Sequence, residues 1–468
     1  MRWMKPSSKN VRNEDQRLRH NHKMNAPMNF NPAPFAARRA RLAEQIRAAG
    51  GGVAIIPTSP ERPRNRDSDY PYRHDSYFHY LTGFTEPDAV LVLCASEAET
   101  KSILFCRAKH EEREIWDGFR FGPVAAGERI GADEAWPNEE LAERLPSLLG
   151  DQPALWYALG HDTAWDARIM EALNTVRANA RSGVSAPAEI RDVRVALDEM
   201  RLFKDSTEIA TMRRAAEITA AAHRRAMQAT RPGRFEYEIE AELLHEFRRN
   251  GSQYPAYTSI VAGGANACVL HYISNDQPLR AGELLLIDAG CELDSYAADI
   301  SRTFPVNGRF EGAARDVYAL VLSAQKAAIA ACRIGNNFNT PHDTAVQILA
   351  QGMLDLKLLS GSLDEVIESN AFRRFYMHRT SHWLGMDVHD CGEYKRAGQW
   401  RNLEPGMVLT IEPGCYIRPA EDIPEAFWNI GIRIEDDVLI TANGPDVLTS
   451  AAPKCIKDIE ACMAGTAG

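Results

Sequence analysis

The chain has 468 residues, of which 45% are hydrophobic and 25% charged, a balance typical of a globular protein with a buried core. The net charge of −10 argues against general affinity for nucleic acid or anionic membranes, because both depend on clustered basic side chains. No apolar run approaches the roughly 18–20 residues of a membrane span. The nine cysteines are scattered and form no Cys-x-x-Cys pair, which predicts reduced thiols in a soluble, cytoplasmic protein.

Residues 1–30 differ in composition from the rest of the chain. Basic side chains recur there among polar ones, and no apolar stretch could serve as a signal peptide. Methionines also recur, at Met4, Met24 and Met28. We interpret this segment as a disordered extension, or as an over-extended start of the reading frame, in preference to a targeting signal.

Helical and strand patterns then alternate through the first half of the chain. A helix is predicted over Phe35–Ala49, where three glycines end it, and another over Asp162–Leu173. Short apolar or β-branched runs between them predict buried strands at Val53–Ile56, Ala89–Cys94 and Ser102–Cys106. These elements predict an α/β domain over residues 31–185. Glycine, serine and proline then interrupt the pattern, so residues 182–197 are predicted to be a linker.

The second half opens with a helix that Asp205 can cap, with Glu208 completing a capping pair. Further helices are predicted at Glu236–Asn250, Ala313–Ile334 and Pro341–Leu358. Strands are predicted at Ser259–Ala262, Leu284–Ala289, Met407–Glu412 and Ile430–Ile440. Helices followed by strands indicate an α+β layer domain, which we place over residues 198–468.

Four acidic residues lie at or near the ends of these apolar strands. Asp288 shares the strand face of two leucines, and Asp299 follows a short turn, so a hairpin could bring the two carboxylates together. Glu412 and Glu435 occupy comparable positions in the last two strands. Because a buried ionised carboxylate is costly unless it is paired or bound to metal, the four together predict a shared partner.

Histidines accompany these acids. His378, His382 and His389 fall within one short segment, and His271 follows an apolar pair. Four carboxylates with one histidine form an oxygen-rich set that suits two divalent ions, Mn²⁺ more than thiolate-preferring Zn²⁺. Two metals about 3.5–4 Å apart can bridge a water, deprotonate it and polarise a carbonyl group.

Five segments around these residues resemble the metal-ligand motifs of the aminopeptidase P family, the Xaa-Pro aminopeptidases, in order, spacing and flanking residues. They are Ile287–Gly290, Asp299–Phe304, Ser381–Gly385, Thr410–Gly414 and Gly431–Asp437. The resemblance extends to Tyr77–Phe84 and Glu199–Lys204, and it covers nearly all of the chain beyond the first thirty residues. It implies a creatinase-like N-terminal α/β domain followed by a C-terminal pita-bread domain, assembled as a homotetramer.

The resemblance also implies a site for two divalent metal ions, which we expect to be Mn²⁺. Asp288 would bind one ion, Asp299 and Glu435 would bridge both, and His382 and Glu412 would complete the shell of the second. Arg433, two residues from Glu435, is expected to share its strand face and to orient that carboxylate.

Further residues match family positions that contact substrate. His271, His378 and His389 correspond to histidines that hold the substrate and help to stabilise the tetrahedral intermediate. Trp116 and Tyr416 correspond to positions near the substrate, and the family suggests that Trp116 reaches the site of a neighbouring subunit. Where family members commonly have Gly-Leu, this chain has Arg379–Thr380, which adds a charge near the site.

The implied reaction is release of the N-terminal residue from peptides with proline in the second position, with a metal-bridging water as nucleophile. A prolidase, which shares all five ligands but cleaves only Xaa-Pro dipeptides, is the alternative within the same class, and comparing a tripeptide with its dipeptide separates the two. A non-catalytic binding protein on the same fold is a further alternative, which the intact ligand set argues against. Peptides and further copies of the chain are the expected partners.

Overall fold

The computed structural model describes residues 30–465, which divide into two compact units that meet in sequence between Ala196 and Leu197. The extension predicted over residues 1–30 lies outside the described residues, apart from its last residue. Within residues 30–465, no helix has both the length and the apolar character that crossing a membrane requires. All nine cysteines are free thiols.

The first unit is built on a six-stranded sheet with the order β6-β5-β4-β1-β7-β8. Strand β4 runs antiparallel to both of its neighbours, and the remaining pairs are parallel. The strands of this sheet are β1 (Gly52–Pro57), β4 (Val90–Ala95), β5 (Thr100–Cys106), β6 (Glu134–Pro137), β7 (Ala154–Trp156) and β8 (Glu189–Arg191). A separate hairpin is formed by β2 (Pro63–Asn65) and β3 (Ser68–Asp69).

Strand β8 lies inside the segment for which the sequence predicts only a linker. It pairs in parallel with β7, a contact that the local glycine, serine and proline content does not reveal. The helix Arg194–Leu202 then begins inside the same segment and continues across the boundary between the units. The stretch between the two predicted domains is therefore more regular than the sequence indicates.

Helices separate most of the strands of the first unit. They are Ala33–Ala48, Ser76–Thr82, Glu111–Asp117, Gly122–Ile130, Leu141–Leu149 and Thr163–Ala178. Leu145 and Ile169, from two of these helices, join Val53 and Val92 of the sheet in one buried core. The side chain of Asp162 caps the last helix by accepting the backbone N–H of Ala164 at 2.8 Å, so the predicted first residue is its N-cap.

In the second unit the predicted capping pair is confirmed. Asp205 Oδ1 accepts the backbone N–H of Glu208 at 3.0 Å, and the backbone N–H of Asp205 donates to Glu208 Oε2 at 2.9 Å. These reciprocal bonds satisfy N–H groups that have no partner within the helix, which fixes where it begins. The helices of this unit are Ser206–Ala229, Glu236–Arg249, Gly312–Ala331, Thr340–Asp355, Leu363–Glu368 and Ile456–Met463.

The strands of the second unit form several small antiparallel sheets. One sheet contains β10 (Ile260–Gly263), β11 (Leu284–Asp288) and β14 (Ser301–Pro305), and another contains β17 (Val408–Ile411), β20 (Asp436–Thr441) and β21 (Gly444–Val447). Between β11 and β14 the chain forms the hairpin β12 (Cys291–Leu293) and β13 (Tyr296–Ala297), beside β9 (Tyr254–Pro255). Two further pairs are β15 (Lys395–Arg396) with β16 (Gln399–Trp400), and β18 (Gly414–Ile417) with β19 (Ile430–Arg433).

The prediction of a single strand over Ile430–Ile440 is wrong, because two strands, β19 and β20, occupy this segment. Strand β19 pairs with β18, whereas β20 pairs with β17 and β21, so the chain passes from one sheet to another at Ile434 and Glu435. The apolar alternation continues through this change of partners, which is why the sequence does not reveal it. Consequently Arg433 and Glu435 do not share one strand face.

Candidate active site

The first two acids lie on adjoining segments of one sheet. Asp288 is the last residue of β11 and is paired with Ser301, the first residue of β14, while Asp299 lies two residues before Ser301. The approach of the two segments requires glycine at position 290, because a Cβ there would lie 1.7 Å from the backbone oxygen of Ala298. The predicted hairpin therefore does bring Asp288 and Asp299 together.

Tyr257 joins these two carboxylates. Its hydroxyl lies 2.5 Å from Asp288 Oδ1 and also contacts Asp299 Oδ1. Burial, reinforced by the charges of both aspartates, raises the pKa of Tyr257 well above its ordinary value, so the hydroxyl remains protonated and can donate. Sequence reasoning missed this residue, because Tyr257 stands outside the five motifs and beside no charged residue.

Arg433 is predicted to orient Glu435, but its direct partners are other residues. Its Nη2 donates to Asp288 Oδ2 at 2.6 Å, and its Nε donates to Ser301 Oγ at 2.8 Å. The Ser301 hydroxyl in turn donates to Glu435 Oε2 at 2.7 Å. Among the described residues, Arg433 therefore holds Asp288 directly and is linked to Glu435 through Ser301, a residue that the sequence analysis did not single out.

His382 presents one ring nitrogen to the acids. Its Nδ1 lies 2.9 Å from the backbone oxygen of Trp383, and because a carbonyl oxygen can only accept, Nδ1 carries the proton of the neutral ring. Nε2 then faces Asp299 Oδ2 at 3.5 Å and Glu412 Oε1 at 3.7 Å. This orientation is the one a metal-binding histidine needs.

Burial alone would lower the pKa of His382. The contact with Asp299 and the charge of Glu412 outweigh that effect and raise the pKa to about 9. The surrounding acids therefore favour the protonated, positively charged form of the ring.

The surrounding carboxylates form a dense group of buried acids. Burial, followed by mutual repulsion with Asp299 and the other acids, raises the pKa of Glu435 well above its ordinary value. Burial likewise raises the pKa of Glu412 to about 7 and raises that of Asp288. Asp437 supports Asp299 from behind by accepting its backbone N–H at 3.1 Å. Its Oδ1 is buried without a hydrogen-bond partner among the described residues.

These residues fit a divalent cation. Asp299, His382 and Glu435 each offer a ligand atom within 4.8 Å of the others, and Asp288 and Glu412 line the same cleft. The donors are carboxylate oxygens and one imidazole, which suit hard or borderline divalent ions. A cation among them would compensate the buried negative charge that otherwise favours protonated acids.

His378 is placed differently from the other predicted histidines. Its Nδ1 donates to the backbone oxygen of Arg379 at 2.8 Å, and its Nε2 accepts from the Tyr416 hydroxyl at 2.9 Å. Burial lowers the pKa of His378 to about 3, so the ring is neutral and has no second N–H to give. The ring lines the cleft, and the expected role of His378 in holding substrate stays a prediction.

The same hydrogen bonds correct the expectation for Tyr416. This residue is buried beneath the cleft, where its hydroxyl accepts from Arg433 Nη1 at 3.0 Å and donates to His378. It therefore supports two residues of the site and is not part of the cleft wall. Sequence similarity places the residue near the centre but cannot tell which side of the wall it occupies.

The cleft itself has a volume of about 480 Å³ and an apolar side. His271 and His389 are solvent-exposed residues of its wall, and the His389 ring lies 4.2 Å from that of His382 between centroids. Apolar side chains complete the wall: Ile260, Leu270, Ile273 and Val388. Trp116 belongs to the first unit, where it is 84% exposed.

Acidic residues gathered around a histidine in an open cleft are typical of metal-dependent hydrolases. Residues 210–442 match the model of metallopeptidase family M24, and residues 35–156 match that of the aminopeptidase P N-terminal domain. The Xaa-Pro aminopeptidase of Escherichia coli (strain K12) is 47% identical over 432 residues, which are 92% of this chain and 97% of that protein.

Solved structures agree with this class. The aminopeptidase PepP of Pseudomonas aeruginosa superimposes with a TM-score of 0.91 at 46% identity, covering 94% of this chain and 99% of that one. Zn-substituted E. coli aminopeptidase P in complex with product gives a TM-score of 0.91 at 46% identity, covering 93% and 99%. The chain belongs to the aminopeptidase P family of M24 metallopeptidases. The predicted fold, an N-terminal α/β domain followed by a pita-bread domain, is confirmed.

Proposed function

We propose that this metallopeptidase releases the N-terminal residue from peptides that carry proline in the second position. The observation that carries the proposal is the convergence of Asp288, Asp299, His382, Glu412 and Glu435 on one cleft. It is supported by 47% identity, across nearly the whole chain, to a relative named for that activity.

The metal site is proposed to hold two divalent ions, with Mn²⁺ as the cation that suits the donors best. Asp288 would hold one ion, Asp299 and Glu435 both, and His382 and Glu412 the second. When bound, such a pair activates a water as nucleophile and polarises the scissile carbonyl group. The Cys291 thiol is not part of this ligand set, since it is directed to the backbone oxygen of Ala215 at 3.4 Å.

The cleft wall is proposed to select proline. A bond before proline is a tertiary amide without an N–H, so the site needs a shaped apolar surface for the ring in place of a hydrogen-bond acceptor. Ile260, Leu270, Ile273 and Val388 offer such a surface. His271 and His389, which are exposed in the same cleft, would donate towards the carbonyl oxygen as negative charge develops there.

We further propose that Trp116 completes the site of a neighbouring subunit in a homotetramer. Trp116 and its neighbour Ile115 are 84% and 80% exposed, so the indole is not a packing residue of its own unit. Large exposed apolar side chains placed side by side are typical of interaction surfaces. A cytoplasmic location is proposed from the nine free thiols.

Steady-state kinetics with Mn²⁺ present test the proposal. We expect kcat/KM for Ala-Pro-Ala to exceed that for Ala-Ala-Ala by orders of magnitude, because only the first offers a ring to the apolar wall. Comparable rates on the two peptides would overturn the assignment to proline. Cleavage of Ala-Pro but not Ala-Pro-Ala would favour a prolidase, and binding without turnover of either would favour a non-catalytic role.

A further inference from the structure

Arg379 occupies the rim of the cleft in a fixed orientation. Its side chain lines the cleft, its Nη2 donates to Asn339 Oδ1, and its guanidinium carbon lies 4.8 Å from the centroid of the Trp400 ring. The Asn339 amide is itself held, because its Nδ2 donates to Asp343 Oδ2 at 2.7 Å. An amide and an indole, both neutral, therefore position this cation.

Arg379 has no direct carboxylate partner among the described residues, and the nearby charge of Asp343 acts on it across the Asn339 amide. Within residues 30–465, no carboxylate oxygen lies within 4.0 Å of its guanidinium nitrogens, and the same is true of Lys395 Nζ, which lies 4.2 Å from the centroid of the Trp400 ring. Other arginines of this unit are paired, such as Arg374 with Asp422 at 2.6 Å. Two cations thus lie beside one indole, and Arg379 is the member of the pair that lines the cleft and makes its rim positive.

The rim is positively charged, whereas the interior of the cleft is negatively charged. The interior contains the four carboxylates and would receive the end of the substrate that carries the scissile bond. A peptide cleaved one residue from its N-terminus must extend its remaining residues outward, past the rim. The cleft is negative inside and positive at its rim. Its electrostatic field therefore matches a short peptide whose inner end is positive and whose outer end is negative.

We propose that Arg379 is a specificity-determining residue that binds a carboxylate of the substrate on the C-terminal side of proline. The inference rests on the proposed function, and it adds a preference for peptides that place a negative charge at the rim. A guanidinium fork matches a carboxylate with two parallel hydrogen bonds, which a lysine cannot reproduce. The carboxylate can come from the C-terminus of a short peptide or from an acidic side chain after proline.

Two pairs of peptides distinguish these sources. Ala-Pro-Ala against its C-terminal amide tests the terminal carboxylate, and Ala-Pro-Asp-amide against Ala-Pro-Asn-amide tests the side chain. For the wild-type protein we expect KM to be lower by about tenfold for the charged member of at least one pair, with similar kcat. Arg379→Gln should raise the KM of that charged peptide to the value of its neutral partner, and Arg379→Lys should restore the difference only in part.

Arg373→Gln is the matched control, since it removes a positive charge from an exposed side chain of the same segment that does not line the cleft. This variant should keep the difference within each pair. High salt should shrink the difference in KM for the wild-type protein, because salt screens the attraction between opposite charges. This measurement does not depend on whether any variant folds. Equal KM values within both pairs for the wild type, or a difference that persists in Arg379→Gln, would overturn the inference. Failure to cleave any Xaa-Pro peptide would instead overturn the proposed function on which it rests.

Discussion

Arg433 Nη2 lies 2.6 Å from Asp288 Oδ2, and little of either side chain is exposed to solvent. Asp288 is thus the one predicted ligand whose carboxylate pairs directly with an arginine among the described residues. Through Ser301 the same arginine also restrains Glu435. Removing one member of a buried ion pair typically costs about 3–5 kcal/mol, so Arg433 contributes to the order of the site before any cation binds.

The first prediction concerns the proposed ligands. Asp299→Asn and Glu435→Gln should each lower kcat/KM by several orders of magnitude, because an amide keeps the shape of the carboxylate but not its charge. The fold should persist, since Glu435→Gln relieves repulsion among buried acids and Asp299→Asn keeps the size of the side chain. Kinetics with metal analysis checks this, and Glu421→Gln, on an exposed acid outside the cleft, is the control. Near-normal turnover by either variant would remove that residue from the site.

Removal of metal gives the second prediction. A chelator should abolish activity, and Mn²⁺ should restore it better than Mg²⁺, which gives up its water shell reluctantly and prefers sites with fewer protein ligands. The measurement is activity against added cation after dialysis. Full activity of protein shown to be metal-free would contradict the whole proposal.

The third prediction is that the stabilisation by metal depends on pH. Glu412, with a pKa of about 7 in the folded chain against an ordinary 4.5, binds protons more tightly when folded. Its contribution to stability therefore falls as pH rises from 4.5 through 7. The contribution of His382 is present below 6.5 and is lost as pH rises through about 9.

Both effects weaken the metal-free protein as pH rises, and bound metal should cancel them because its ligands are deprotonated. The lowered pKa of Asp299 opposes this trend only at acidic pH, near the ordinary value of an aspartate. We therefore expect the gain in Tm on adding Mn²⁺ to grow between about pH 5 and about pH 8. Calorimetry of metal-free and loaded protein measures this gain, and a gain independent of pH would refute the prediction.

The fourth prediction concerns Tyr257. Tyr257→Phe keeps the ring but removes the hydroxyl that joins Asp288 and Asp299, so metal affinity should fall by about 10–100-fold. Titration of the metal-free protein with Mn²⁺ gives the Kd directly. Tyr254→Phe, on a nearby strand outside the cleft, is the comparison and should bind as the wild type does. Identical affinities of the two variants would show that the Tyr257 hydroxyl does not organise the ligands.

The fifth prediction concerns Trp116. Trp116→Ala should lower kcat/KM for Xaa-Pro-Yaa peptides more than for Xaa-Pro dipeptides, because the indole is proposed to contact residues beyond proline. Leu159→Ala, which truncates another exposed apolar side chain of the same unit, should affect neither substrate. Equal losses on the two substrates would assign Trp116 a local role in its own unit.

The sequence predicts much of this site because its acids lie where buried strands end and because their motifs resemble a known family. It does not predict Tyr257, whose importance depends on two hydrogen bonds across strands. It also cannot tell on which side of the cleft wall Tyr416 lies, since a motif records distance along the chain and not the direction of a side chain. Strand β8 and the break at Glu435 were missed for the related reason that a strand's partners are distant in sequence.

The segment between β19 and β20, where the chain changes sheets, also affects how the site unfolds. The backbone N–H of Glu435 donates to the backbone oxygen of Ser301 at 3.0 Å, and the buried guanidinium of Arg302 donates to Asp436 Oδ1 at 2.8 Å. A segment anchored in this way cannot fray independently, so its amide hydrogens should exchange with solvent only through global unfolding. Heat would then inactivate the enzyme and unfold this unit in a single transition, with no earlier loosening of the cleft floor.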